Sequence, residues 1–208
     1  VRLGATGLES DAWITADGEV VLDHDGVVRA GLRKRPVASL RRADLPSYIP
    51  TLTQLYEAVG TDLEISLDVN DTAAVDRVVE VARQAGGGAA GRLWLCHHDH
   101  DVVVSWRSRF PDVRLVDSTR LARIKEGPER RAADLAATGV DAVNLHHSDW
   151  TGGLTTLFHR FEVLCFGWDA QLPRILDELL DAGIDAVYSD HVDRMLDALA
   201  RHPGSTAG

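Results

Sequence analysis

An α/β fold with a mainly parallel sheet is predicted by two features of the sequence. Short β-branched runs alternate with amphipathic helical stretches along the whole chain, and strands separated by crossover helices pair in parallel. A phrase also repeats: Ala-Thr-Gly-Val-Asp-Ala-Val at 137–143 resembles Asp-Ala-Gly-Ile-Asp-Ala-Val at 181–187. Each reads as helix end, glycine stop and return strand, so one βα unit recurs. About seven such units fit in 208 residues, whereas a (β/α)8 barrel typically needs about 250. The expectation is therefore a TIM-type (β/α)8 barrel, truncated at its N-terminus with the first βα unit largely missing, forming one domain over residues 1–208. No glycine-rich phosphate fingerprint follows the first strand, which weighs against a dinucleotide fold.

Taken in order, the predicted strands occupy residues 19–22, 63–69, 92–96, 113–116, 142–145, 162–166 and 186–188. An extended segment at residues 8–13 precedes them in the same layer. Val75, Val78, Val79 and Ala82 fall at i, i+3, i+4 and i+7, which places them on one helix face. Leu172, Ile175, Leu176, Leu179 and Leu180 form a second stripe, with Pro173 at the helix start, where its missing N–H is harmless. Val192, Met195, Leu196 and Leu199 form the last. Gly86-Gly87-Gly88, Gly139 and Gly183 follow helical runs and suit left-handed caps.

Composition removes several classes. The formal net charge is −10, opposite to the basic surface that a nucleic-acid coat needs. The cysteines, Cys96 and Cys165, each sit in an apolar run and read as buried free thiols. No apolar stretch reaches the roughly 18–20 residues of a membrane span. The chain opens Val1-Arg2-Leu3-Gly4-Ala5, and its single methionine is Met195. That opening reads as a missing front end, so the sequence is silent on targeting. A cytoplasmic location is the default expectation, secretion stays open, and oligomeric state is not readable.

In a barrel of this kind the chemistry sits at the carboxyl ends of the strands. Glu9 and Asp11 are two apart, so on an extended strand both carboxylates point the same way. Like charges side by side are costly unless a cation lies between them. Asp17-Gly18 is a turn signal, and the apolar run after it ends at His24. Glu64, Ser66, Asp68 and Asn70 alternate onto one face of the next strand. Singly, an acidic pair is usually solvated and a lone histidine is usually structural. The combination is what points to a site.

These residues resemble a known family. Gly4-Ala5-Thr6-Gly7-Leu8-Glu9-Ser10-Asp11, followed by Thr15-Ala16-Asp17-Gly18-Glu19-Val20-Val21-Leu22-Asp23-His24-Asp25, resembles the core signature of glycerophosphodiester phosphodiesterases. Ile49-Pro50-Thr51-Leu52 is similar to the I-P-T-L that opens a later helix in that family. Gly183-Ile184-Asp185-Ala186-Val187-Tyr188-Ser189-Asp190 is similar to its closing G-V-D-G-I-x-T-D. The resemblance implies a TIM barrel that hydrolyses glycerophosphodiesters to glycerol 3-phosphate and an alcohol, with a divalent metal. It further implies Glu9, Asp11 and Asp68 as metal ligands and His24 as a catalytic histidine. An all-oxygen set suits Mg²⁺ or Ca²⁺. Asn70, His97 and Trp168 are expected at the substrate, a glycerophosphodiester or a lysophospholipid-type molecule.

The family's H-R-G and P-E-N-T motifs are absent, and Val1-Arg2-Leu3-Gly4-Ala5 matches the end of the helix that follows them. Asp68 replaces a glutamate, Asn70 a lysine, and Phe166-Gly167-Trp168 a W-T-V. The chain as it stands is therefore expected to be weak or inactive. Two other readings stay open: a phospholipase-D-like lyase forming cyclic phosphates, and a non-catalytic remnant that binds metal or phosphate. His97-His98-Asp99-His100 reads as a polar loop top rather than a metal cluster. Of His146 and His147, one is expected to face the barrel mouth and the other to pack outside. Arg29, Arg33, Lys34, Arg35, Arg41 and Arg42 form a basic stretch, read as a solvated loop or an attractor of anionic headgroups.

Overall fold

The computed structural model describes residues 3–30 and 33–203. Val1 and Arg2, part of the opening matched to a helix end, lie outside the described residues. The chain divides into two compact units, an N-terminal one of Thr6–Cys96 with Phe110–Val113 and a C-terminal one of the remainder.

The N-terminal unit is built on four strands in the order β6-β5-β1-β2. β1 (Gly7–Ile14) and β5 (Glu64–Asp68) are parallel, and β5 continues parallel to β6 (Leu93–His97). β2 (Val20–Leu22) departs from the parallel expectation, because it runs antiparallel to β1. The reason is local. Thr15 and Glu19 close a tight turn, with the Glu19 N–H donating to Thr15 Oγ1 at 2.9 Å, and so short a link cannot carry a crossover helix. A second hairpin, β3 (Val27–Ala30) with β4 (Arg33–Pro36), lies where the basic stretch was read as a loop. Val21, Val28, Val37, Leu40, Leu45 and Ile49 close a small core beneath these hairpins, with Trp13 packed against it.

Two helices complete this unit. α1 (Leu52–Val59) starts with a reciprocal cap: Thr51 accepts from the Gln54 N–H, and the Gln54 side chain accepts from the Thr51 N–H. α2 (Val75–Ala85) buries Val75, Val78, Val79 and Ala82, the face its period predicts. Cys96 is buried and forms no disulfide.

The C-terminal unit contains β7 (Arg114–Thr119), β8 (Ala142–His146), β9 (Leu164–Trp168) and β10 (Ala186–Val187), neighbours in that order. β7 is parallel to β8, β8 to β9, and β9 to β10. Its helices are α3 (His100–Arg107), α4 (Pro128–Thr138), α5 (Gly152–His159), α6 (Pro173–Asp181) and α7 (Val192–Arg201). Gly139 and Gly183 adopt φ of 72° and 81° at helix ends, as the repeated phrase requires. β9 starts two residues later than predicted because Glu162, at φ 60°, still belongs to the turn that ends α5. α6 buries Ile175, Leu176, Leu179 and Leu180, while Leu172 caps it from outside at 51% exposure. The stripe of α7 is less deeply covered. Only Ala198 of that helix is fully buried, and Leu199 is 38% exposed. Cys165 is buried, free, and its thiol is pushed well up by desolvation.

Candidate active site

The N-terminal unit brings the predicted carboxylates together through strand register. Glu9 pairs with Ser66 and Asp11 with Asp68 across β1 and β5. Cross-strand partners share a face, so all four side chains project from the same side of the sheet. Ser66 is buried, its Oγ 3.3 Å from Cys96 Sγ. Just beyond β5, Asn70 donates from Nδ2 to Asp11 Oδ1 at 2.8 Å. Burial pushes the Asp11 carboxyl above its ordinary range. His24 and the Asn70 bond pull it back, and Asp23 and Asp25 raise it again. A half-buried carboxylate among other carboxylates gains from a cation, and this all-oxygen donor set fits a hard divalent one.

His24 reaches the same carboxylates by an unexpected route. Rather than ending a strand, it lies two residues past β2. Because β2 runs back along β1, the chain after Leu22 returns to the level of Asp11, whose carbonyl accepts the Asp23 N–H at 3.2 Å. The bend is held from both sides. The Trp13 indole N–H donates to the Asp23 carbonyl at 2.6 Å, and the Gly26 N–H donates to Asp23 Oδ2 at 3.0 Å. Gly26 has φ +63°, and a Cβ there would stand 2.4 Å from the Trp13 ring. His24 is left open, its side chain 91% exposed, with Nδ1 2.8 Å from Asp25 Oδ1. That bond to Asp25 raises the imidazole's pKa first. The charges of Asp11, Asp25 and Glu9 raise it further. Asp25 is the residue that sequence reasoning left without a part to play. The adjacent His-Asp pair was its only signal.

His97 and Trp168 belong to other clusters. His97 is buried, stacks on His98 at 4.4 Å, meets Trp106 edge-on at 5.8 Å, and accepts the Asp99 N–H on Nδ1. Burial and then His98 lower its pKa, so it is neutral near pH 7. Trp168 is half-buried, edge-on to His146 at 4.5 Å. His146 and His147 do not point to opposite sides as expected; their rings lie 4.2 Å apart. β8 ends at His146, and a one-turn 3-10 helix, His147–Asp149, breaks the strand alternation that would have separated them. Asp169 stands beside them, with its Oδ2 3.4 Å from His146 Nε2.

Parallel strands joined by helices, with carboxylates and a histidine gathered at one strand pair, have the α/β architecture of the TIM-barrel class. The likeness to solved structures agrees. A protein from Silicibacter pomeroyi DSS-3 superimposes with a TM-score of 0.81 at 18% identity, over 96% of this chain and 85% of that one. A phosphodiesterase from Oleispira antarctica, solved with the product sn-glycerol-3-phosphate, gives 0.80 at 18% identity, over 96% and 87%. The Thermotoga maritima glycerophosphodiester phosphodiesterase gives 0.76 at 19% identity, over 94% and 86%. No curated protein sequence matches the chain. The model of the glycerophosphoryl diester phosphodiesterase family matches residues 1–194, and the chain belongs to that family. It is a phosphodiesterase-type enzyme. Among the described residues, no helix is long and apolar enough to cross a membrane.

Proposed function

We propose that this chain hydrolyses glycerophosphodiesters to sn-glycerol 3-phosphate and an alcohol, with a divalent cation, Mg²⁺ or Ca²⁺, held by Glu9, Asp11 and Asp68. The observation that carries the reading is Asp11. It is a half-buried carboxylate with a raised pKa, in register with Asp68 and within the electrostatic reach of His24. The bound product in the Oleispira antarctica phosphodiesterase supports the substrate class.

The chain's own residues divide the work. A bound cation would offset the negative charge of the phosphodiester oxygens. Glu9, Asp11 and Asp68 supply oxygen donors from one sheet face, and Asn70 fixes one Asp11 oxygen so that the other is free to coordinate. His24, protonated and held by Asp25, gives its proton to the oxygen of the departing alcohol. Its exposure leaves room for a leaving group of variable size. His97 and Trp168 are proposed to contact substrate, the former as a neutral imidazole and the latter through its indole face. The same headgroup chemistry admits lysophospholipids, which would place the enzyme in lipid metabolism.

The test is turnover of glycerophosphocholine with Mg²⁺, Ca²⁺ or EDTA, followed by phosphorus NMR. We expect metal-dependent release of sn-glycerol 3-phosphate, abolished by EDTA and reduced at least about 10²-fold in Asp11→Asn. An accumulating cyclic phosphate would replace hydrolysis with the lyase reaction. Ligand binding without turnover under any metal would reduce the chain to a binding protein.

A further inference from the structure

The C-terminal unit carries a second group of donors that the phosphodiester chemistry leaves unused. His146 closes β8, His147 opens the 3-10 turn after it, and Asp169 follows β9. One nitrogen from each histidine and one Asp169 oxygen all lie within 4.8 Å of one another. The spacing discriminates between two explanations. A charge-assisted N–H···O bond closes to about 2.7–2.9 Å, yet His146 Nε2 and Asp169 Oδ2 stand 3.4 Å apart. Ligand atoms at about 2.0–2.2 Å from a tetrahedral zinc are about 3.3–3.5 Å from each other. The pair is too open for a good ion pair and has the separation of two ligands on one ion.

The surroundings favour the same reading. Asp169 holds a positive φ of 61°, which is uncommon for a residue with a side chain. Such outliers gather at functional positions. His146 Nδ1 accepts the Ser148 N–H at 3.2 Å and lies 2.8 Å from Ser148 Oγ, which holds the ring with Nε2 toward Asp169. Trp168 packs edge-on against His146 and limits its rotation. Arg120, whose guanidinium lies 5.8 Å from the Trp168 ring, is bound by both Asp149 oxygens at 2.7 and 3.2 Å, so its charge is already compensated. By contrast, in the group of His159, Cys165 and Asp185, the thiol is buried with a raised pKa. Asp185 there is already taken by His159 at 2.7 Å and by the Cys165 N–H.

We propose that His146, His147 and Asp169 bind a divalent transition metal of the zinc type, leaving a fourth position to water or an oxyanion. Two imidazoles and one carboxylate select such a metal over Mg²⁺ or Ca²⁺, which prefer all-oxygen sets.

The test uses the full chain with Co²⁺ as a spectroscopic stand-in for Zn²⁺, in excess Mg²⁺ to occupy the carboxylates of β1 and β5. A visible absorption band of a four-coordinate ion is expected, bleached by one equivalent of Zn²⁺. Asp169→Asn retains a residue that tolerates the left-handed backbone, so its folding is not at issue. Together with His147→Ala, it should weaken Co²⁺ binding at least about tenfold. Glu9→Gln should leave the band unchanged. Absence of the band, its persistence in Asp169→Asn and His147→Ala, or its loss in Glu9→Gln would each overturn the proposal. None of these outcomes depends on phosphodiester turnover.

Discussion

At the scale of single residues, His24 and its partner Asp25 give the sharpest expectations. The imidazole's pKa is raised, chiefly by the Asp25 bond, so the imidazolium persists above the ordinary histidine value. A proton donor must be protonated, and turnover should therefore fall on the alkaline side as pH rises through that raised value. Asp25→Asn removes the first cause and should move this limb of the kcat profile to lower pH. An unmoved limb would exclude His24 as the group observed. His24→Ala should lower kcat by about 10²–10⁴-fold, the usual contribution of a positioned acid. Asn70→Ala frees Asp11 Oδ1, and the metal concentration for half-maximal turnover should rise about tenfold. Glu9, Asp11 and His24 were legible in the sequence because each belongs to a short contiguous pattern. The bond from Asn70 to Asp11 was not, because it depends on the register of two strands far apart in the chain.

At the scale of elements, the repeated phrase proves to be a latch. Asp141 donates its N–H to the Leu115 carbonyl and accepts the Leu115 N–H on Oδ2. Asp185 does the same with Cys165, donating its N–H to the carbonyl and accepting the N–H on Oδ2. Each aspartate thus ties the start of its own strand to the start of the strand before it. Side chains reinforce both latches, Arg107 and Arg114 at Asp141 and His159 at Asp185. Asp141→Ala strands a backbone N–H and two guanidinium contacts, and should cost about 2 kcal/mol. In calorimetry that is a fall in Tm of roughly 5 °C for a chain of this size. The sequence exposed the repeat but not the latch, since a turn aspartate looks the same whether or not its carboxylate finds a distant N–H. The β3–β4 hairpin was hidden for another reason. Arg29 stands directly opposite Lys34, a like-charge pair that β-propensity argues against.

At the scale of the whole molecule, the family match runs over residues 1–194 and so covers parts of both compact units. We propose that the chain folds as a single domain, in which case scanning calorimetry should record one cooperative transition with equal calorimetric and van't Hoff enthalpies. Two resolved transitions would separate the units thermodynamically. The alternation of strands and helices was legible from apolar periods alone. The direction of β2 was not, because an apolar run of three residues carries no record of which way it runs. That reversal has a consequence for the order of folding. Glu9, Asp11 and His24 belong to one antiparallel hairpin closed by a tight turn, so the contacts that join them are short in sequence. Short loops close at little entropic cost and form early. Asp68 arrives from a distant strand and must wait for slower, long-range pairing. Pulse-labelled amide exchange should therefore protect β1 and β2 before β5. His24 and two neighbouring carboxylates would then meet before Asp68 joins them.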